Sequence, residues 1–339
     1  MAAYLQKGDG NIVMSDNKKI LITGGAGFIG SHLAEKLLQE GKEVFVLDDL
    51  STGSLGNINH LKENDKFHFT EGSVLDKELV FDLVLKADQI YHLAAAVGVK
   101  TVVEKPLESF LINIEGTKNV LDAAVDKKIP VLLASTSEVY GKNDSLPFSE
   151  EHDRVYGSAY HARWGYGMSK GSDEFLGLAY YREKGLPVVI VRLFNVIGPR
   201  QSGAYGMVVP RFIQQALKGE DITVYGSGDQ TRCFGYVEDV TGALTALMKA
   251  PGALGHIFNL GSDEEITINE LAKKIIALTG SKSEIKRIPY AEVYGPEFDD
   301  MLHRRPDLSK IKEAIGFKPE YNLEDSLKKI IEYFHDSKK

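Results

Sequence analysis

The chain has 339 residues, 43% hydrophobic and 26% charged, the make-up of an ordinary globular protein, which excludes a disordered or fibrous one. Its formal net charge of -8 lacks the basic excess that nucleic-acid binding needs, and no apolar run approaches the roughly 20 residues of a membrane span. One cysteine, Cys233, excludes an internal disulfide and makes the cytoplasm the default compartment. Residues 1–18 read as a leader without the apolar core of a signal peptide, with Met14 offering a second start. From residue 19, β-branched and apolar runs at 20–23, 44–47, 67–70, 90–93, 131–135 and 188–193 alternate with amphipathic stretches. That rhythm predicts an α/β fold with a doubly wound parallel sheet. Among the helical stretches, 31–40 puts Leu33, Leu37 and Leu38 on one face, and 117–127 does the same with Val120, Leu121 and Ala124. The texture turns loop-rich after Leu193, which predicts a first domain over 19–195 and a smaller C-terminal lobe over 196–339. A helix opening the 237–255 segment returns to the first domain in this reading, and amphipathic helices at 267–279 and 326–334 belong to the second lobe.

The run Ile20-Leu21-Ile22-Thr23-Gly24-Gly25-Ala26-Gly27-Phe28-Ile29-Gly30 is a strand, a glycine turn and the start of a helix. Gly24 suits the tight turn, Gly27 a close approach of backbone to pyrophosphate, and Gly30 close packing of helix on strand, while the helix N-terminus offers N–H groups and partial positive charge. This is the fingerprint of a Rossmann-type dinucleotide site. The second strand ends in Asp48, placed to accept from adenosine ribose hydroxyls and to repel a 2′-phosphate, so NAD is favoured over NADP. Otherwise Asp48 and Asp49 would merely cap a turn.

Further along, the strand at 131–135 delivers Ser135, Thr136, Ser137 and Glu138 to the C-terminal edge of the sheet, where such folds hold ligands. Tyr166 and Lys170 stand four residues apart, on one face of a helix. A nearby ammonium and a positive nicotinamide would lower the phenol from its usual value near 10 and make Tyr166 a usable base.

The motifs TGGAGFIG, HLAA at His92, STSEVYG, YGMSK and RLFNVIGPR, in that order, resemble the extended short-chain dehydrogenase/reductase family over roughly 19–335. The resemblance implies NAD in the first lobe and a nucleotide diphosphosugar, expected to be UDP-linked, in the second. It implies that Gly24, Gly27, Phe28, Ile29, Gly30, Asp48, Ser51, Ser73, Val74, Leu93, Ala94, Ala95 and Asn113 hold the cofactor together with Tyr166 and Lys170. Thr136, Tyr166 and Lys170 would be catalytic, joined by Ser137 and Glu138, and Asn195, Val209, Arg211, Tyr225, Arg232 and Arg304 would meet the substrate. Helices near 113–126 and 166–184 would form a homodimer interface, with Val120, Phe175 and Leu178 as contacts.

In this family the chemistry begins with oxidation at C4 of the sugar, and three branches follow. Similar 4,6-dehydratases carry an aspartate after the threonine to protonate the leaving hydroxyl, and this chain has Ser137 there. Common 4-epimerases carry a small or hydroxyl residue where Glu138 stands, whereas UDP-glucuronate decarboxylases carry the same Thr-Ser-Glu run, and Arg163-Trp164-Gly165-Tyr166 also resembles a decarboxylase. UDP-glucuronate decarboxylation to UDP-xylose is therefore the leading expectation, with Arg304 holding the carboxylate and Glu138 and Ser137 handling the proton that replaces carbon dioxide. A UDP-sugar 4-epimerase, and then a 4,6-dehydratase, are the enzyme alternatives. Three departures mark the chain: Gly72-Ser73-Val74 beside the adenine, the loop at 95–100, and the approach to the tyrosine from Tyr156 to Arg163. An NAD-sensing binding protein would need the glycines but not Thr136, Tyr166 and Lys170 together. No metal is expected, because the nine histidines show no paired ligand spacing, and Cys233 has no adjacent histidine base to make it a nucleophile.

Overall fold

In the computed structural model, residues 18–98, 104–203, 206–294 and 301–336 are described; of the leader at 1–18 only Lys18 falls among them, and Val99 and Lys100 of the 95–100 loop lie outside. The first half runs β1 (Lys19–Thr23), α1 (Phe28–Gln39), β2 (Glu43–Asp48), β3 (Phe67–Glu71), α2 (Lys77–Val84), β4 (Gln89–His92), α3 (Pro106–Val125), β5 (Val131–Thr136), α4 (Arg163–Lys184) and β6 (Val188–Leu193). Next come β7 (Val196–Ile197), α5 (Val208–Lys218), β8 (Ile222–Tyr225), β9 (Thr231–Cys233), β10 (Gly235–Tyr236) and α6 (Val237–Leu247). The chain closes with β11 (Ile257–Leu260), β12 (Glu265–Thr267), α7 (Ile268–Thr279), β13 (Ile285–Ile288), α8 (Tyr290–Tyr294), α9 (Ser309–Ile315) and α10 (Leu323–Asp336).

Among the described residues one seven-stranded parallel sheet carries the order β11-β6-β5-β4-β1-β2-β3. The middles of β1, β2, β5 and β6 are apolar and mostly buried because helices cover both faces. The order reverses between β1 and β4, which opens a crevice beyond their carboxyl ends. The register sets Thr23 opposite both Leu47 and His92, and His92 opposite Leu133, so β5 carries Thr136, opposite Leu193, three residues further into that crevice.

Two sequence expectations change here. The helix read at 117–127 begins at Pro106, eleven residues earlier, with the proline at its first turn, where a missing N–H costs nothing. Before Thr117 its buried face carries the polar Ser109 and Asn113, while Leu107 and Leu111 are exposed, so no apolar stripe announces this part of the helix. Val120, read as a dimer contact, is fully buried in the core with Val74, Leu83 and Val131. Leu178 packs on that same core, while Phe175 is 71% exposed.

A separate core of Phe212, Ile213, Val224, Leu271, Ile275 and Leu327 binds α5, α7 and α10 to the short β8–β13 pair. Thr267 and Glu270 close a reciprocal capping box at the start of α7. The chain then re-enters the large sheet, since α6 packs on α1 and β11 pairs with β6. No helix among the described residues is long and apolar enough to cross a membrane.

Candidate active site

One cavity of about 820 Å³ runs from the glycine turn after β1 to Tyr225 and Arg304 in the C-terminal half. Gly24 adopts φ +72°, and a methyl group on Gly30 would stand 2.2 Å from the Gly24 carbonyl oxygen, so α1 reaches the turn only because no Cβ intervenes. The first turn of α1 lines the cavity with no acidic side chain to oppose an anion. Asp48 ties this turn down: Oδ2 accepts from the Ala26 amide and Oδ1 from the Leu50 amide, each at 2.9 Å. Burial pushes its carboxyl up, and those amides oppose the rise. Phe28, Ile29, Ser51, Val74, Leu93, Ala94 and Ala95 complete a wall that fits an elongated dinucleotide.

Ser73 and Asn113 do not face the cavity. The Ser73 hydroxyl accepts from the Leu75 amide at 3.2 Å within its own turn. Asn113 lies behind the wall, its Oδ1 accepting from the Ala96 amide at 2.8 Å and its Nδ2 donating to Ser169 at 2.9 Å. Both shape the wall, so direct cofactor contact by their side chains, expected from the sequence, is not what the geometry provides.

Beyond β5, Thr136, Ser137 and Glu138 meet α4. A Cβ on Gly167 would lie 2.6 Å from the Glu138 carbonyl oxygen, so that glycine lets α4 close on the turn and bring Tyr166 to Thr136, to which its hydroxyl is hydrogen-bonded. Burial first, then the Glu138 and Asp173 carboxylates, push Tyr166 above the usual phenol range against the Thr136 hydrogen bond. Lys170 instead donates to Asp173 Oδ2 at 2.6 Å, both groups being buried. His92 spans Thr23 at 2.7 Å and Thr117 at 3.1 Å, and burial, reinforced by Lys170, pushes it down to about 3, so it is neutral.

Glu138 is clamped. Arg163 donates to Oε2 at 3.0 Å and Arg304 reaches Oε1 at 2.7 Å. Burial favours the neutral acid, but Arg163, then Arg304 and Arg232, overcome it and push the carboxyl down to about 2. Glu138 is thus a carboxylate throughout the neutral range and has no proton to give, unlike the role read from sequence, and Arg304, expected to hold a substrate carboxylate, holds this one.

The remaining predicted substrate residues line the same cavity. Asn195 Nδ2 donates to the Cys233 carbonyl at 3.2 Å, and Arg232 donates to the Thr231 and Met301 carbonyls at 2.8 and 2.9 Å. The Arg211 guanidinium lies 3.7 Å from the Tyr225 ring centre, above a buried Val209. Arg163, Gln230 and Tyr290 are among the lining residues that the sequence candidates did not include. Arg163 stands one helical turn before Tyr166, a spacing that could have found it; Gln230 and Tyr290, hydrogen-bonded at 2.8 Å beside Tyr225, come together only through the fold. Cys233 is buried, with its thiol pushed up to about 12 by burial, and is inert.

The chain matches the GDP-mannose 4,6 dehydratase family over residues 21–330. It is 45% identical over 320 residues to a UDP-N-acetyl-alpha-D-glucosaminuronate decarboxylase of Bacillus cytotoxicus, covering 94% of this chain and 98% of that one. It is 40% identical over 322 residues to UDP-glucuronic acid decarboxylase 1 of Danio rerio, covering 94% and 73%. Its fold superposes with TM-score 0.85 at 30% identity on a UDP-glucuronic acid 4-epimerase from Bacillus cereus, solved with UDP-glucuronic acid and NAD, covering 94% and 99%.

Proposed function

The chain belongs to the GDP-mannose 4,6 dehydratase family, within the extended short-chain dehydrogenases/reductases, and on that premise we propose that it is an NAD-dependent decarboxylase converting UDP-glucuronate to UDP-xylose through a transient 4-keto sugar. The observation that carries this reading is the strand end itself. Dehydration needs an acid beside Thr136, and Ser137 is not one while Glu138 is held ionised between Arg163 and Arg304. A decarboxylase needs no acid for a leaving hydroxyl.

NAD, when bound, supplies the acceptor and later the donor of the C4 hydride. Gly24, Gly27 and Gly30 with the α1 N-terminus would hold its pyrophosphate, and Asp48 its adenosine ribose. Tyr166, steered by Thr136, takes the C4 hydroxyl proton. The ketone thus formed lies β to the C6 carboxylate, so the C5–C6 bond breaks with its electron pair drawn toward the C4 oxygen. Carbon dioxide leaves, the enolate takes a proton from solvent water at C5 as the C4 ketone re-forms, and Tyr166 returns its proton to the C4 oxygen on reduction. Arg163, Arg232 and Arg304 give the carboxylate end a guanidinium-lined wall, with Glu138 fixing two of them in place. Asn195 and the Arg211–Tyr225 stack are assigned to the diphosphate and uracil.

The expected result with purified protein, NAD and UDP-glucuronate is a product lighter by one carbon dioxide. An unchanged mass with a galacto product would establish epimerisation instead, and loss of water dehydration. A second substrate is favoured by the 45% identity to the 2-acetamido uronate enzyme, so the 2-acetamido analogue belongs in the same assay, where the larger kcat/KM identifies the substrate.

A homodimer through α3 and α4 accounts for the exposed Leu107, Leu111, Met168 and Phe175 on these two adjoining helices. Sedimentation of Phe175→Glu is expected to give a monomer where the parent gives a dimer; an unchanged mass would remove this interface. A cytoplasmic location is in keeping with the single buried thiol, and cell fractionation reads it directly.

A further inference from the structure

Asp173 takes no part in the chemistry described so far, yet it is the partner of a catalytic residue. It follows Lys170 by three positions on α4, and the two side chains are almost completely buried, at 2% and 3% exposure. We infer that Asp173 is a positioning residue of the reaction: its carboxylate, 2.6 Å from Lys170 Nζ, anchors the ammonium and offsets the positive charge through which Lys170 would favour the Tyr166 phenolate. This rests on the reading of Tyr166 as the group that takes the C4 proton.

The charges around the pair can be followed element by element. On α4 itself stand Lys170, Glu174 and Tyr166. From α3 the Thr117 hydroxyl opposes the rise of the Asp173 carboxyl, and from β4 the neutral His92 bonds to Thr117. From the turn after β5, Glu138 faces Tyr166 but is held by Arg163 and Arg304; from β6, Arg192 is held by Glu174. Asp173 is therefore the carboxylate directly bonded to the catalytic lysine. The pair is close to neutral as a unit, so a phenolate forming beside it gains less than beside an ammonium alone. Burial favours the neutral form of Asp173, with Lys170 and Thr117 opposing, so the carboxylate is tied to the ammonium it faces.

The test reads the tyrosine directly. Tyrosinate absorption of NAD-saturated protein is titrated, with the matching Tyr166→Phe protein subtracted, for the parent and for Asp173→Asn. Removing the negative charge favours the phenolate, so the Tyr166 midpoint is expected to fall by about one pH unit, and the acid limb of kcat/KM with it. A coincident or raised midpoint in a folded Asp173→Asn protein overturns the inference and leaves Asp173 a structural pair only, visible as a lower Tm. Should Asp173→Asn not fold, Asp173→Ser, neutral and still able to accept from the ammonium, is titrated in its place with the same two outcomes. No uronic acid is present in the titration, so a shifted midpoint in a protein that decarboxylates nothing would sink the proposed reaction and leave the role of Asp173 standing.

Discussion

Replacing Tyr166 with phenylalanine is expected to lower kcat on UDP-glucuronate by about 10²–10⁴-fold while NAD still binds, because the cradle of Gly24, Gly27, Gly30 and Asp48 is untouched. The substitution removes only the hydroxyl that Thr136 orients. The resting phenol is held neutral by burial and by two neighbouring carboxylates, so its ionisation during turnover depends on positive charge arriving with the cofactor and on the partly compensated Lys170. Turnover by the coupled release of carbon dioxide, and NAD affinity by calorimetry, are the two measurements. A loss below about tenfold would show that another group takes the C4 proton, and lost NAD binding would show that Tyr166 is chiefly part of the cofactor wall.

Glu174→Ala is expected to destabilise the protein by about 3–5 kcal/mol. Glu174 accepts from Arg192 Nε at 3.0 Å and Nη2 at 2.8 Å, from the Ser135 hydroxyl, and from Arg154. Arg192 is only 2% exposed and also donates to the Tyr140 hydroxyl at 2.9 Å, which in turn donates to Asn259 at 2.7 Å. Removing Glu174 leaves the buried Arg192 guanidinium without its carboxylate, with only the Tyr140 hydroxyl and the Glu150 carbonyl to accept from it, whereas Glu174→Gln retains part of the hydrogen bonding and is expected to lose less. Because the network joins α4, β5, β6 and β11 directly behind Thr136, catalysis should weaken along with Tm. Thermal unfolding of the two variants decides it, and equal, small losses would mean that the pair is replaceable.

The strands and the glycine cradle were legible because their signals are local. A β-branched run covered on both faces reads as a strand wherever it lies, and Gly24 and Gly30 are demanded by backbone geometry within ten residues. The start of α3 at Pro106 was not legible, since its first half is buried through Ser109, Asn113 and Thr117 against neighbours that no periodicity announces. The side-chain directions of Ser73 and Asn113 were not legible either, because they follow from hydrogen bonds to Leu75 and to Ala96 and Ser169.

What the sequence determined by itself, then, is the fold class, the cofactor cradle and the Tyr166–Lys170 pair, all set by spacing along one strand, turn or helix. The tertiary structure decided the electrostatics of that pair. Whether Lys170 faces Tyr166 or Asp173, and whether Glu138 is an acid or a carboxylate clamped by Arg163 and Arg304, depends on charges brought together from distant parts of the chain and on the burial that strengthens them.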